Sequence, residues 1–117
     1  MSSQLRVQHV VVDCMGLKRQ ATFYGGLLGL EEQGSEADWV DLGPVSPAGP
    51  RLLLVAVPEP KAAKNRVHLD IAVPDLNVAT HRVLTLGGSA ATEPYFADHP
   101  WRVMRDPEGQ EFCLVTD

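Results

Sequence analysis

The sequence predicts an α+β fold made of two copies of a βαβββ unit. Three observations carry this. The chain repeats itself at an offset of 59 residues: His9 falls on His68, Val10 and Val12 on Leu69 and Ile71, Leu17 on Leu76, and Gly29 on Gly88. Each copy opens on a stretch read as a strand, the second with strict alternation of apolar and polar residues. Apolar residues then recur at helical spacing until glycine ends the run. The length of 117 residues is that of one domain, which buries roughly two-thirds of its unfolded surface and needs no disulfide or metal merely to hold together.

The first module, about 1–57, opens on a strand at His9. Leu17, Ala21, Tyr24 and Leu28 form a helical stripe that Gly29 stops. Phe23 and Tyr24 belong to its packed face. Gly25 and Gly26 inside it cost about 1 kcal/mol each against alanine, and close backbone packing is one reason to keep them. Three shorter strands are expected near 31–36, 38–43 and 51–57, with Gly43–Pro50 as a rim loop.

A polar, proline-bearing connector, 58–65, leads to the second module, about 66–117. Val67, Leu69, Ile71 and Val73 alternate with Arg66, His68, Asp70 and Ala72, which is the period of a strand. Asp75 is placed to cap a helix carrying Leu76, Ala79, Val83 and Leu86, and Gly87-Gly88 ends it. Strands are expected near 90–96, 101–105 and 110–116. Asp106-Pro107-Glu108-Gly109 fits a type I turn joining the last two.

Charge and composition exclude several roles. A net charge of −5, with scattered basic residues, argues against a nucleic-acid surface. No apolar run approaches the ~20 residues of a membrane span. Met1-Ser2-Ser3-Gln4 lacks a signal-peptide pattern. Cys14 and Cys113 read as buried, reduced thiols, and the expected location is the cytoplasm.

Several short motifs stand in order along the chain: His9, Phe23-Tyr24 and Leu28-Gly29; then His68, Asp75-Leu76 and Leu86-Gly87; then the run from Asp106 to Leu114. Together they resemble the glyoxalase/bleomycin-resistance/extradiol dioxygenase, or vicinal oxygen chelate, superfamily. They are most similar to its small bacterial glyoxalase-like domains. The resemblance covers almost the whole chain. It implies two modules with curled mixed sheets around a shared cleft, and in metal-dependent members an ion held from the first and last strand of each module by His and Glu. Carried over by position, the first-strand ligands are His9 and His68. The last-strand positions are Cys113 and, by the 59-residue offset, Leu54, or Val55 if the register slips.

Two imidazoles with Cys113 as a third ligand make a poor site for Mg²⁺ or Mn²⁺, though Zn²⁺ accepts such a set. The expectation for cofactors is therefore none, or a divalent metal bound weakly. Asp70 and Glu111 each lie two residues from a ligand position, about 6.6 Å along a strand. That distance suits a hydrogen bond to a ligand better than a direct metal bond. Asp13 is further still. Trp39 and Trp101 lie on the third-strand segments of their copies and are candidates to stack on a ligand, or core or rim residues. Arg102 and Arg105 are candidates for an anionic ligand or for solvated positions; His81 reads as exposed, and His99 as a rim residue. The resulting reading is a small-molecule binder, similar to proteins that sequester an aromatic or antibiotic-like ligand. The alternative is a metal-dependent lyase, isomerase or dioxygenase. The resemblance also implies a homodimer.

Overall fold

The computed structural model describes residues 4–91 and 101–116. The chain divides into two compact units between Glu59 and Pro60, inside the expected connector.

The first unit runs β1 (His9–Cys14), α1 (Leu17–Leu28), β2 (Gly34–Glu36), β3 (Trp39–Pro44) and β4 (Arg51–Ala56). The second runs β5 (Asp70–Ala72), α2 (Leu76–Thr85), β6 (Ser89–Ala90), β7 (Trp101–Arg105) and β8 (Glu111–Val115). Each is the expected βαβββ module. Each forms its own four-stranded mixed sheet, in the orders β1-β4-β3-β2 and β5-β8-β7-β6. The first and last strands of a module pair in parallel, and the other pairings are antiparallel. A parallel pair needs a long crossover, and the helix and hairpins between the two strands supply it.

Helix α1 packs on β3 and β4. Phe23, Tyr24, Val40, Leu42, Leu52 and Leu54 are buried and form the core of the first unit. The helical stripe read from the sequence missed Gln20, which is fully buried in α1. Gly29 ends α1 in the left-handed conformation at φ 68°, and its N–H donates to the Gly25 carbonyl. A Cβ on Gly25 would lie 3.0 Å from the Leu30 carbonyl oxygen, which is the close packing anticipated for that glycine.

In the second unit Asp75 caps α2, its carboxylate accepting from the N–H groups of Asn77 and Val78. Val83, Met104, Phe112 and Leu114 are fully buried or nearly so. Arg102 is not solvated, contrary to one reading of its place in the sequence. Its Nη1 donates to the Leu76 carbonyl at 3.2 Å and to Thr80 Oγ1 at 2.8 Å, and its Nη2 to Asn77 Oδ1 at 2.8 Å, tying β7 to α2. The Asp106–Gly109 turn forms as expected: Gly109 N–H donates to the Asp106 carbonyl. The buried Asp106 carboxylate also accepts from the N–H groups of Glu108 and Gln110.

Two strands differ from expectation. β5 covers 70–72 rather than the whole alternating stretch from 66; further back along β8, the Glu111 N–H and carbonyl bond the Asn65 side chain instead of a strand. His68 therefore precedes the strand. β6 spans Ser89–Ala90, and the remainder of the strand expected near 90–96, like His99, lies outside the described residues except for Ala91.

Candidate functional site

Strand periodicity sorts the second sheet into two faces. Met104, Phe112 and Leu114 turn toward α2, so Asp70, Trp101, Val103, Glu111, Cys113 and Val115 occupy the opposite face. There they line a hollow of about 520 Å³. Val103, Cys113 and Val115 provide an apolar floor, and Trp101, 44% exposed, stands at its side. Lys64, His68 and Asp70 bring polar groups to the same hollow.

His68, Asp70 and Cys113 converge. Cys113 pairs with Asp70 across the parallel ladder, and its N–H donates to the Leu69 carbonyl. His68 Nε2 lies 3.2 Å from Asp70 Oδ1. One ligand atom from each of the three side chains lies within 4.8 Å of the others. The spacing argument from the sequence allowed Asp70 a hydrogen bond to a neighbouring ligand position, and its approach to His68 has that length, although no extended strand runs through both residues. Because His68 sits ahead of β5, its ring folds back onto the carboxylate. Burial pushes the Cys113 thiol up from its ordinary pKa, and the charge and hydrogen bonding of Asp70 push it further, so the thiol is protonated at neutral pH.

Glu111, a cleft candidate in the sequence, lines the hollow but is engaged as a clasp. Its carboxylate accepts from Asn65 N–H at 3.2 Å, lies 3.4 Å from Lys61 Nζ and 4.0 Å from Arg105 Nε, and is only 12% exposed. Asn65 completes the clasp with its side chain, accepting from Glu111 N–H and donating to the Glu111 carbonyl. Burial pushes the Glu111 carboxyl up, but the Asn65 N–H and the Lys61 ammonium outweigh it and hold the group below its ordinary value. The connector is thereby fastened to β8.

In the first unit His9, Val11 and Asp13 alternate with the residues of β1 that turn toward α1. His9 pairs with Arg51 and Asp13 with Val55. Trp39 opens β3 opposite Val55, as Trp101 opens β7 opposite Val115. The sequence missed Asp41. Its carboxylate accepts from Arg51 Nε at 3.1 Å, from Arg51 Nη2 at 2.9 Å and from Gly43 N–H at 2.8 Å. Burial raises the Asp41 pKa, and the bonds from Arg51 and Gly43, with the charges of Arg51 and His9, bring it below the ordinary value. A bulge between Asp41 and Gly43 sets this geometry, and no sequence motif announced it.

Leu54 requires a correction. It is fully buried on the α1 side, so it cannot be the last-strand cleft position. By ladder pairing, Val11 faces Leu53 as Asp70 faces Cys113. The matching of Trp39–Val55 with Trp101–Val115 gives the same result. Leu53 is therefore the counterpart of Cys113. The repeat offset is one residue longer at the last strand than at the first, and in a strand one residue exchanges the two faces. Val55 shares the cleft face but lies one pair further on.

The metal positions implied by the sequence resemblance can now be tested for fit. Neither last-strand position carries a carboxylate: one is Leu53 and the other the protonated thiol of Cys113. These residues do not fit an oxygen-seeking ion such as Mg²⁺ or Mn²⁺.

Comparison with known proteins agrees with the topology. The chain is similar to a glyoxalase/bleomycin resistance protein from Albidiferax ferrireducens T118, with 24% identity, a TM-score of 0.71, and coverage of 94% of this chain and 97% of that one. A glyoxalase/bleomycin resistance protein/dioxygenase family enzyme from Burkholderia phytofirmans PsJN aligns with 15% identity and a TM-score of 0.74, covering 93% of this chain and 96% of that one. The fosfomycin resistance protein FosX from Listeria monocytogenes aligns with 16% identity and a TM-score of 0.71, covering 100% of this chain and 95% of that one. At these identities the likeness is one of fold. No curated protein matches the sequence significantly. The family model of the glyoxalase-like domain matches residues 9–115, from the first strand of the first module to the last strand of the second, and the chain belongs to that family.

Proposed function

We propose that this protein binds a small organic molecule with a flat apolar face in the hollow of its second module. The observation that carries the reading is the hollow itself. About 520 Å³ of space has an apolar floor of Val103, Cys113 and Val115, an aromatic wall at Trp101, and polar groups from His68, Asp70 and Lys64 on one side. Ligand sites commonly combine concave apolar surface with a few placed polar groups. The names of the similar structures, which include resistance proteins, support a ligand of drug-like size, and the expected homodimer and cytoplasmic location are part of the same proposal.

A dye with a planar apolar body, anilinonaphthalene sulfonate, tests the reading by fluorescence titration. Wild-type protein is expected to bind it saturably. Trp101→Ala removes the wall and Val103→Phe fills the floor, and each is expected to weaken binding by about tenfold, or about 1.4 kcal/mol. Binding unchanged in both variants would place the ligand elsewhere.

One observation favours a second reading, the metal-dependent lyase, isomerase or dioxygenase. It is the convergence of His68, Asp70 and Cys113 in the same hollow. In this reading Lys64 holds an anionic substrate group while Trp101 orients its carbon frame. Turnover that disappears on metal removal, for any substrate that binds the hollow, would favour it over simple sequestration.

A further inference from the structure

We propose that the hollow of the second module selects a planar organic anion, such as an aromatic carboxylate or sulfonate, through Lys64, and that Asn65 positions Lys64 by fastening the connector to β8. The inference rests on the reading of the hollow as a ligand site. It adds the charge class of the ligand and the residues that decide it, and it requires no metal.

Charge balance supplies the first argument. Asp70 and Glu111 bring carboxylates to the hollow, and each already has partners. Glu111 accepts from Asn65 N–H at 3.2 Å, and Lys61 Nζ and Arg105 Nε stand 3.4 Å and 4.0 Å from it. Asp70 Oδ1 lies 3.2 Å from His68 Nε2. Lys64 lines the same hollow, yet among the described residues its ammonium makes no hydrogen bond or ion pair. Its charge nonetheless reaches the floor, where it opposes the rise of the Cys113 thiol pKa. An anionic ligand would supply the missing counter-charge, and a neutral one would leave the ammonium to water.

The clasp supplies the second. A carboxamide offers an acceptor and a donor side by side, as a peptide group does. Asn65 uses both on one residue of β8: Oδ1 accepts from Glu111 N–H at 3.0 Å, and Nδ2 donates to the Glu111 carbonyl at 3.2 Å. Nδ2 also donates to the Val67 carbonyl at 2.6 Å. The Asn65 side chain thus takes the place on β8 that an earlier residue of β5 would fill. Upstream, Lys61 is tied to the Glu111 carboxylate and to the Ala63 carbonyl. Lys64 lies between these anchors, so its backbone is held on both sides and only its side chain adapts to a ligand. A lysine on a free loop would lose more conformational freedom on binding.

The walls supply the third. Trp101, 44% exposed, and the apolar floor of Val103, Cys113 and Val115 suit a flat ring body. The volume of about 520 Å³ falls within the roughly 300–1,000 Å³ common for ligands of drug size. Trp101 cannot tell an aromatic anion from the neutral ring system of the same shape; Lys64 can.

The test uses untagged full-length protein and two fluorescent dyes with one ring body: anilinonaphthalene sulfonate, and phenylnaphthylamine, which lacks the sulfonate. Lys64 is exposed, so Lys64→Met removes the charge and leaves the fold intact. It is expected to weaken binding of the sulfonate dye by about fivefold and to leave the neutral dye bound as before. Lys64→Arg should keep most of the sulfonate affinity. Added salt should weaken the sulfonate dye in wild-type protein and much less in Lys64→Met. Asn65→Ala is expected to weaken the sulfonate dye about threefold and the neutral dye little, with no further effect in the Lys64→Met background, a pattern that general loosening of the module would not reproduce. Trp101→Ala should weaken both dyes. If Lys64→Met changes neither dye, or both alike, while Trp101→Ala weakens both, the anion proposal is overturned and the hollow stands as a ligand site. If Asn65→Ala acts equally with and without Lys64, its positioning role is overturned. Both dyes indifferent to Trp101→Ala and Val103→Phe would overturn the reading of the hollow itself, and this proposal with it.

Discussion

Adjacent leucines on β4 provide a sharp test of which face of the first sheet is the core. Leu54 is fully buried beneath α1, whereas Leu53 is half-buried on the opposite face, as the counterpart of Cys113. Leu54→Ala removes a fully buried side chain from a group that includes Phe23, Leu42 and Leu52, so the expected cost is about 2–5 kcal/mol. At about 4–8 °C per kcal/mol for a domain of about 100 residues, the melting temperature should fall by at least ~8 °C. Leu53→Ala loses only partial burial, about 1 kcal/mol. The paired glutamate substitutions separate the sites further. At position 54 a carboxyl group enters an apolar core without a partner and adds at least ~1–3 kcal/mol to the lost packing. At position 53 it reaches the polar side of the sheet. Thermal unfolding followed by circular dichroism, with the near-ultraviolet signal reporting native packing, measures all four proteins. If Leu53→Glu unfolds the protein while Leu54→Glu leaves it folded, the register deduced from the ladders is wrong, and with it the equivalence of Leu53 and Cys113.

Two further predictions follow from the geometry and a third from the family resemblance. The Glu111 carboxyl is held below its ordinary pKa in the folded protein, so the stability it contributes is present above the unfolded value and is lost as pH falls through the folded value. Glu111→Gln should therefore flatten the acid limb of a stability–pH curve below about pH 5, and a limb identical to that of wild type would rule out the clasp to Lys61 and Asn65. The Cys113 thiol, raised by burial and by Asp70, should alkylate more slowly with iodoacetamide at pH 8 than a free cysteine, and Asp70→Asn should accelerate it several-fold; equal rates would remove Asp70 from its surroundings. Sedimentation should reveal a homodimer at micromolar concentration, and a species near 12.7 kDa alone would refute that expectation.

Much of the architecture was legible because it rests on local rules. The Asp75 cap, the Gly29 stop and the Asp106–Gly109 turn each depend on a few adjacent residues with a fixed conformational preference, and all three are present in the structure. The presence of His68 and Cys113 in one hollow was also readable, since positional resemblance pointed to both. What the sequence alone could not decide depends on register and on contacts between distant strands. The one-residue difference between the modules exchanged Leu53 for Leu54, because strand side chains change face at every residue. Arg102 reads from the sequence as suited to an anionic ligand or to solvent; with β7 laid against α2, three acceptors of the helix meet its guanidinium instead. Glu111 looked like a site acid until the connector returned to β8 and brought Lys61 and Asn65 to it. The pattern implied a continuous strand through His68 and Asp70, whereas β5 starts only at Asp70, and His68, ahead of it, brings its imidazole 3.2 Å from the carboxylate. Sequence determined which residues could build a site, and tertiary pairing decided which of them meet.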